Sequence, residues 1–360
     1  MSVISLVLNL LVEVKNMEHQ PLFTIGIASY NYDKYIKRAL NCIKRQNFTD
    51  YEILVSDDCS TDHSVDVVKQ FIKENPNICV RLITSTKNEG VVANKNKLIS
   101  NCRGRYLMLC DADDWMSKNC LEKFAQAIKD KNPDRIISQV AHIDQNGKII
   151  QVEFIPENQT KWGWNLHHGS VYKTDILRQY DIKIKAMPDD VYFTIEFAKY
   201  CNKVIHINET LYYWLVHTDS EGRKKISLNR EETRNIYGNV LTYITEIIQT
   251  LKNSNNKNYK RDIKELSLVR LKLYYFYILF ISQRESLKNK LEFYNILHEH
   301  IIKLDKNYYK SSCLPSPNCH VLRSYPMKAI KLCMFLEQIH LMKLGLLGFH
   351  IISKFKYFDQ

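Results

Sequence analysis

Apolar strands alternate with amphipathic helices through the first third of this chain, and that order constrains the fold more than any other feature. Four short strands are predicted, at residues 23–28, 52–56, 80–84 and 106–110. Three helices are predicted between them, at 34–46, 64–74 and 92–101. This order predicts an α/β fold with a parallel sheet that helices cover on both faces, and with ligands at the carboxyl ends of the strands.

A change of pattern near residue 220 predicts a second part. The chain of 360 residues is long enough for one large core and a smaller unit. Long helical stretches rich in Lys, Tyr and Leu follow the change. We therefore expect an N-terminal extension at 1–21, a sheet-containing domain at 22–220 and a helical C-terminal region at 221–360.

The chain is basic, with 51 Lys and Arg against 39 Asp and Glu and a formal charge of +12. Such a charge suits nucleotide diphosphates, anionic lipid or nucleic acid, and charge alone does not choose among them. The ten cysteines form no CxxC pair, and several stand in apolar patterns. Reduced thiols in a reducing cytoplasm are therefore expected.

Three carboxylates follow the fourth predicted strand, at Asp111, Asp113 and Asp114. Neighbouring acids repel one another unless a cation lies between them. Mg²⁺ or Mn²⁺ would supply that cation, and phosphate oxygens of a substrate usually complete its coordination. A polar turn at a strand end is the alternative. The run predicts a metal-dependent nucleotide site.

No GxGxxG loop follows the first strand and no GxxxxGK[ST] motif occurs in the sequence. Metal and side chains must then neutralise the phosphates. Three polar loops fall at carboxyl ends of predicted strands: 29–31, 57–62 and 111–114. We expect these loops to converge on one crevice.

Five motifs, taken together in order and spacing, resemble the inverting family-two glycosyltransferases of GT-A fold. They are Ile27-Ala28-Ser29-Tyr30-Asn31, Asp57-Asp58-Cys59-Ser60-Thr61-Asp62, Asn88-Glu89-Gly90 with Lys95-Asn96, Arg103-Gly104-Arg105-Tyr106, and Asp111-Ala112-Asp113-Asp114. The resemblance covers roughly residues 22–220. It implies a GT-A, mostly parallel sheet with helices on both faces, a nucleotide-sugar half at about 22–115 and an acceptor half at about 116–220.

The resemblance also implies a nucleotide site. Its members would be Ser29, Tyr30, Asn31, Asp58, Lys95, Asp111 and Ala112. Tyr30 would lie against the uracil base and Asp58 would hydrogen-bond to it, although Tyr30 could be an ordinary turn aromatic. Lys95 stands where the family usually has arginine, so it keeps the charge and loses the bidentate fork. A solvated helix face is the alternative for Lys95, and Ser60 or Thr61 is expected to cap the next helix.

For the metal, the resemblance implies Asp113 as a ligand. Asp111 would reach the ribose or the metal with its water shell, while Asp114 would orient the loop. His217 would touch the metal or the diphosphate, and a neutral imidazole is a plausible Mn²⁺ ligand. A surface loop histidine is the alternative for His217.

A second acidic pair, Asp189-Asp190, resembles the E-D motif of the same family. Asp190 would be the general base that takes the proton of the acceptor hydroxyl, with Asp189 beside it on the acceptor side. The plainer interpretation is a helix that opens with acids in its first turn. Trp162 and Trp164, with His167 and His168 after them, resemble the acceptor-lining segment. Both tryptophans could instead belong to the core.

The implied function is transfer of a sugar, with inversion, from a nucleoside-diphosphate donor to a hydroxyl of a glycan or lipid-linked acceptor. UDP is the nucleotide that we expect in the donor. Surface polysaccharide, lipooligosaccharide or capsule synthesis would be its setting, and Mn²⁺ or Mg²⁺ its cofactor. A sugar-phosphate nucleotidyltransferase is one alternative, but it would normally show a Gly-rich first loop. A basic nucleic-acid-binding protein is another, although no recognisable binding module accompanies the charge, and we expect no nucleic-acid partner.

The sequence ends in a predicted helix from about residue 327 to 354. Its apolar residues are interrupted by lysines, so it could lie on an anionic membrane surface. Packing against the helical region or against a second subunit is the alternative. We expect a cytoplasmic protein, with peripheral contact at the inner face of the membrane and homo-oligomerisation as open alternatives.

Overall fold

The computed structural model describes residues 20–153, 155, 161–163, 166–217, 230–254, 259–281, 286–306 and 325–356. They form two compact units. The first comprises the described residues within Met1–Ile155, Leu166–Lys185 and Phe193–His217, and the second those within Pro156–Asn165, Ala186–Tyr192 and Thr218–Gln360. Most of the predicted N-terminal extension and Trp164 lie outside the described residues.

A mixed sheet of nine strands, counted over the described residues, is the frame of the first unit. The strands are β1 Phe23–Ser29, β2 Tyr51–Asp57, β3 Val80–Thr84, β4 Tyr106–Asp111, β5 Trp115–Met116, β6 Arg135–Ile143, β7 Ile149–Glu153, β8 Ser170–Lys173 and β9 Val204–Leu215. Their order across the sheet is β3-β2-β1-β4-β8-β6-β9-β5, and β7 pairs with β6.

Strands β1 to β4 pair in parallel, as the alternating pattern predicts. The associated helices are α1 Asp33–Lys44, α2 Ser64–Glu74, α3 Val91–Asn101, α4 Cys120–Lys131, α5 Thr174–Gln179 and α6 Asp189–Tyr200, and α6 belongs to this unit from Phe193 onward. Strand β8 runs antiparallel to both β4 and β6, so the sheet becomes mixed beyond β4. Strand β6 pairs with β9 in parallel, whereas the β5–β9 and β6–β7 pairs are antiparallel. The α/β order agrees with the predicted GT-A fold, and both parallel and antiparallel pairs occur beyond β4.

The strand register brings the polar loops to one edge of the sheet. Ser29 stands beside Asp57 in the β1–β2 pairing, and Ala28 stands beside Asp111 in the β1–β4 pairing. The loops that leave β1, β2 and β4 therefore begin at the same level, because parallel strands share their carboxyl edge. We call this edge the rim of the sheet.

The Arg103-Gly104-Arg105 motif lies at the opposite end of these strands and has a structural explanation. The amide of Gly104 donates to Thr24 Oγ1 at 2.8 Å. A Cβ at Gly104 would lie 2.4 Å from the amide nitrogen of Thr24, so no larger residue fits there without a backbone shift. This motif packs β4 against β1 and makes no direct contribution to the rim.

The described part of the second unit is mainly helical. Its helices are α7 Arg230–Thr233, α8 Asn239–Asn253, α9 Lys260–Phe276, α10 Leu287–Leu304, α11 Tyr325–Gln338 and α12 Met342–Lys356. Short π-helical turns at Arg234–Gly238 and Tyr277–Ile281 continue α7 and α9. Among the described residues, none of the helices has the length and apolar character that crossing a bilayer requires.

The single helix predicted at 327–354 is wrong, because the chain breaks between α11 and α12. His340 adopts a left-handed conformation with φ +57°, and the amide of Leu341 donates back to the carbonyl of Leu336 at 2.7 Å. Neither Gly nor Pro stands at residues 339–341. The usual local signals for a helix end were therefore missing.

Candidate active site

The loops after β1 and β2 are joined by side-chain hydrogen bonds. Asn31 Oδ1 accepts from the amide of Thr61 at 2.8 Å, and the amide of Asn31 donates to Ser60 Oγ at 2.9 Å. Ser60 Oγ in turn donates to Asp57 Oδ2 at 2.6 Å. Asn31, a predicted nucleotide-site residue, thus fixes the shape of the rim.

The prediction that Ser60 or Thr61 caps the next helix is wrong. Helix α2 begins at Ser64, and the amide of Ser64 donates to Asp62 Oδ1 at 2.9 Å. Cys59, with φ +64°, turns the chain before the helix starts. The earlier hydroxyls therefore bond across the two loops instead of to the helix.

Asp58 is buried at the rim. Its carboxylate accepts from the amides of Glu89 at 3.1 Å and Gly90 at 2.7 Å, just ahead of α3. Its own amide donates to the carbonyl of Ser29 at 2.9 Å. A carboxylate has about four acceptor positions, so capacity remains for a base N–H.

Tyr30 and Ser29 differ in exposure. The Tyr30 side chain is 39% exposed at the rim, whereas Ser29 is buried. Asn94 Nδ2 donates to the carbonyl of Ser29 at 3.2 Å. Within the described part of the chain, Ser29 Oγ and Asn94 Oδ1 are buried without a hydrogen-bond partner. Buried polar atoms of this kind call for an explanation, and an absent polar ligand is one.

Lys95 does not lie on a solvated helix face. It is 5% exposed, and its Nζ lies 3.4 Å from Asp111 Oδ1. The structure therefore directs the positive charge of α3 toward the acidic run.

Asp111 is surrounded by positive or protonatable groups. His168 Nε2 lies 3.0 Å from Asp111 Oδ2, and His167 Nε2 lies 3.5 Å from Oδ1. Burial alone would raise the pKa of Asp111, but Lys95 and the two histidines outweigh it and hold that pKa well below its usual range. Asp111 therefore carries a stable negative charge. Ala112, the next residue in the turn, is buried.

Asp113 is buried beside a histidine from the end of β9. Asp113 Oδ2 lies 2.7 Å from His217 Nε2, whose ring packs against Tyr35 with 4.9 Å between centroids. Burial and the negative charge of Asp111 raise the pKa of Asp113. His217 is buried, which removes the surface-loop alternative.

Asp114 fixes the turn from inside. It accepts from Tyr212 Oη at 2.8 Å and from the amide of Leu215 at 2.9 Å. Tyr212 Oη also accepts from the amide of Asp111 at 3.2 Å. Burial and the charge of Asp113 raise the pKa of Asp114 well above its usual range.

Three residues that contact this turn were not predicted to do so from the sequence. Tyr212 bonds Asp114, His168 contacts Asp111 although it was placed on the acceptor side, and Arg38 donates to the carbonyl of Asp113 at 2.7 Å. The guanidinium of Arg38 lies 4.3 Å from the ring centroid of Trp115. In the sequence, His168 and Tyr212 stand far from the acidic run, so no local signal connected them with it.

The remaining predicted residues lie in the second unit. Asp189 and Asp190 are in the first turn of α6, where Asp189 is buried. Trp162 is also buried. Acids in a first helical turn interact favourably with the helix dipole, so this position agrees with the plainer interpretation and leaves the catalytic one as a prediction.

The turn has a donor set that suits a divalent cation. Ligand atoms of Asp111, His167 and His168 all lie within 4.8 Å of one another, so these three residues could hold a metal ion. Asp113 and His217 form a separate pair, whose oxygen and nitrogen atoms lie 2.7 Å apart. Neighbouring ligands of an octahedral ion with bonds of about 2.1 Å lie about 3 Å apart. Burial and the charge of Asp111 raise the pKa of Asp113 because no positive charge among the described residues compensates them fully.

A profile of the family described as "Glycosyl transferase family 2" matches residues 24–195. The chain carries a family-two glycosyltransferase domain. The match begins in β1 and ends within α6, so it contains the rim loops, the acidic turn and the Asp189-Asp190 pair. It confirms the resemblance that the motifs suggested.

Curated relatives resemble this glycosyltransferase domain at low identity. Poly(ribitol-phosphate) beta-N-acetylglucosaminyltransferase TarS of Staphylococcus aureus (strain MW2) is 24% identical over 221 residues, covering 58% of this chain and 38% of TarS. Chondroitin synthase of Escherichia coli is 26% identical over 232 residues, covering 61% and 32% of the two chains. The chain therefore spans well under half the length of these relatives.

Solved structures share the fold. The crystal structure of S. aureus TarS 1–349 in complex with UDP-GlcNAc matches with a TM-score of 0.65 at 17% identity, covering 94% of this chain and 91% of that one. A UDP complex of the same TarS segment matches with a TM-score of 0.61, also at 17% identity. At this identity the likeness establishes the GT-A glycosyltransferase fold and nothing finer.

Proposed function

We propose that this protein transfers a sugar, with inversion, from a UDP-linked donor to a hydroxyl of a glycan or a lipid-linked acceptor. One observation carries the proposal: Asp111 and Asp113 each pair with an imidazole at the rim of a family-two domain. The named relatives act in glycan synthesis, and the matching TarS structures hold UDP or UDP-GlcNAc. A UDP-linked hexose or N-acetylhexosamine is therefore the first donor class to test.

The proposed metal site uses the chain's own oxygen and nitrogen donors. Asp113 and His217 would hold Mn²⁺ or Mg²⁺, with Asp111 and His168 on the other side of the turn. When bound, the ion offsets the negative charge that grows on the leaving diphosphate. Imidazole ligands favour Mn²⁺ over Mg²⁺, because Mg²⁺ prefers oxygen ligands alone.

Around the nucleotide, each rim residue has a distinct proposed task. Tyr30 offers its exposed ring to the uracil, and Asp58 accepts the base N–H. Asn31 and Ser29 shape the loop, and the unpartnered Ser29 Oγ is a candidate contact to the nucleotide. Lys95 balances the charge of Asp111 beside the diphosphate.

On the acceptor side, Asp190 is the proposed general base. It would take the proton from the acceptor hydroxyl as that oxygen attacks the anomeric carbon on the face opposite the leaving group. Asp189, Trp162 and Trp164 are the proposed acceptor contacts. Trp162 is buried, so its proposed contact with the acceptor would be through the edge of its ring.

The proposed setting is the cytoplasm, where synthesis of surface polysaccharide or lipooligosaccharide begins on nucleotide sugars. The family-two domain leaves the nucleotidyltransferase and nucleic-acid-binding alternatives without an observation in their favour. Homo-oligomerisation stays a prediction.

A screen of UDP-sugars for Mn²⁺-dependent release of UDP, with glycan and lipid-linked acceptors, tests the function. Asp190→Asn should lower turnover by about 10²-fold or more, because general-base catalysis typically contributes 10²–10⁴-fold. Asp175→Asn is the matched control, since Asp175 also stands in the first turn of a helix and is exposed. Full turnover of Asp190→Asn on an authentic acceptor would refute the assignment of the base.

A further inference from the structure

The two last helices present an unusually apolar outer surface. We call α11 and α12, with the turn between them, the C-terminal hairpin. Large apolar side chains are exposed there at six positions: Leu332, Phe335, Ile339, Leu341, Leu344 and Leu347. Phe335 is 55% exposed and Leu344 is 62% exposed. Leu332, Phe335 and Ile339 share one side of a helix by their spacing, and exposed apolar surface of this kind often marks an interaction site.

The opposite side of the hairpin is packed, so its orientation is fixed. Cys333, Met334 and Leu346 are buried, with α11 against α9 and α12 against α10. Glu337 is also buried and accepts from the hydroxyls of Tyr274 and Tyr294, both at 3.3 Å. The hairpin therefore has a complete inner face, and the exposed leucines and phenylalanine form a second apolar face.

The sequence of the hairpin is basic: residues 325–356 contain five lysines, at 328, 331, 343, 354 and 356, and one acid, Glu337. Glu337 is buried. Lys343 is exposed between Leu341 and Leu344. Apolar side chains mixed with lysines complement a lipid surface, which has anionic headgroups above an apolar acyl layer.

We propose that the outer face of the C-terminal hairpin docks on the surface of an anionic lipid bilayer. Phe335, Leu344 and their apolar neighbours enter the boundary between headgroups and acyl chains, while Lys343 stays at the phosphates. The helices lie in the surface rather than across it, in agreement with their length and composition. This inference deepens the proposed location of the enzyme, and it can be tested without any donor or acceptor.

Sedimentation of the full chain with two kinds of vesicle tests the proposal. One kind contains phosphatidylcholine alone, and the other contains about one third phosphatidylglycerol. We expect binding to the anionic vesicles that weakens as NaCl rises, because salt screens the lysine charges. Phe335→Ser/Leu344→Ser should weaken that binding at least about tenfold. Lys343→Glu should weaken it by about tenfold on the anionic vesicles only.

The chain offers a matched control for lost surface hydrophobicity. Ile149 and Ile150, on the edge strand β7, are 51% and 57% exposed. Ile149→Ser/Ile150→Ser should bind anionic vesicles as the unmodified chain does. Equal loss in this control, or binding that ignores lipid charge, would overturn the proposal.

Self-association is the other outcome that would overturn it. Light scattering with size-exclusion chromatography should show the same mass for the unmodified chain and for Phe335→Ser/Leu344→Ser. An oligomer that this double variant dissociates, together with no vesicle binding, would assign the face to a second copy. Because vesicle binding needs no sugar transfer, failure here would leave the proposed function standing.

Discussion

The rim of the sheet and the C-terminal hairpin depart from ordinary protein surfaces in opposite ways. At the rim, Asp113 and Asp114 are buried carboxylates close to a third acid. On the hairpin, Phe335 and Leu344 are apolar side chains left in contact with water. Burying charge and exposing apolar surface both cost free energy. We propose a ligand for each region: a cation with a nucleotide at the rim, and a lipid surface at the hairpin.

The two regions also differ in how their side chains are held. At the rim, Tyr212, Arg38 and His217 hold the acidic turn in place by hydrogen bonds. On the hairpin, the six exposed apolar side chains lie on the outer face, and the buried side chains of the inner face hold the two helices in place. Chemistry at an anomeric carbon requires preorganised groups, whereas a fluid bilayer accepts adaptable ones.

The largest expected effect separates the two regions by activity. Asp113→Ala should lower UDP release by about 10³-fold or more, because charge stabilisation at the leaving group is usually a dominant catalytic factor. Phe335→Ser/Leu344→Ser should leave turnover on a water-soluble acceptor unchanged. Initial rates at saturating Mn²⁺ would check this, and near-normal rates of Asp113→Ala would contradict the metal assignment.

Stabilisation by metal and nucleotide should depend on the rim and should not depend on the hairpin. At a fixed concentration of UDP, Mn²⁺ at about 100 times its dissociation constant should raise the free energy of unfolding by about 3 kcal/mol. Thermal melts before and after EDTA, with Mn²⁺ restored, would measure it. We expect the same increase in Phe335→Ser/Leu344→Ser and none in Asp113→Ala. An equal increase in all three proteins would place the ion elsewhere.

Tyr212→Phe tests whether the acidic turn is preorganised. Loss of the hydroxyl removes the bonds to Asp114 and to the amide of Asp111. Mn²⁺ affinity, measured by calorimetry, should fall by about tenfold, as for other groups that orient metal ligands. Tyr213→Phe is the control, because Tyr213 is next to Tyr212 in the sequence but its ring stacks on Trp115. Unchanged affinity in Tyr212→Phe would show that the turn holds its shape alone.

The smallest expected effect concerns an acid of the helical unit. Burial raises the pKa of Glu265 to about 6, and its Oε2 has no hydrogen-bond partner among the described residues. A folded pKa above the unfolded value stabilises the protein below about pH 4.5, and this contribution is lost as pH rises through about 6. Glu265→Gln should therefore raise the free energy of unfolding by about 1 kcal/mol at pH 7.5 and by little at pH 4.

Urea unfolding at the two pH values would measure this difference. Glu246→Gln, at an exposed position of α8, should show no such pH dependence. An equal gain at both pH values for Glu265→Gln would mean that packing, and not the charge, causes it.

The predicted strands and helices of the nucleotide half agree with the structure because local periodicity determines them. Strands predicted at 23–28 and 106–110 are observed at Phe23–Ser29 and Tyr106–Asp111. The spacing of apolar residues along a short segment indicates a strand or a helix, so these elements can be predicted without knowledge of the fold. Ser60 and Thr61 were misassigned, because a hydroxyl ahead of a helix can also bond across to another loop.

The sequence by itself determined the α/β order, the collection of polar loops at one rim and the acidic run that suits a cation. Only the tertiary structure decided the partner of each acid. His168 meets Asp111 from 57 residues away, Tyr212 meets Asp114 from 98 away and His217 meets Asp113 from 104 away. Such contacts follow from the order of strands across the sheet, which leaves no periodic signal in neighbouring residues.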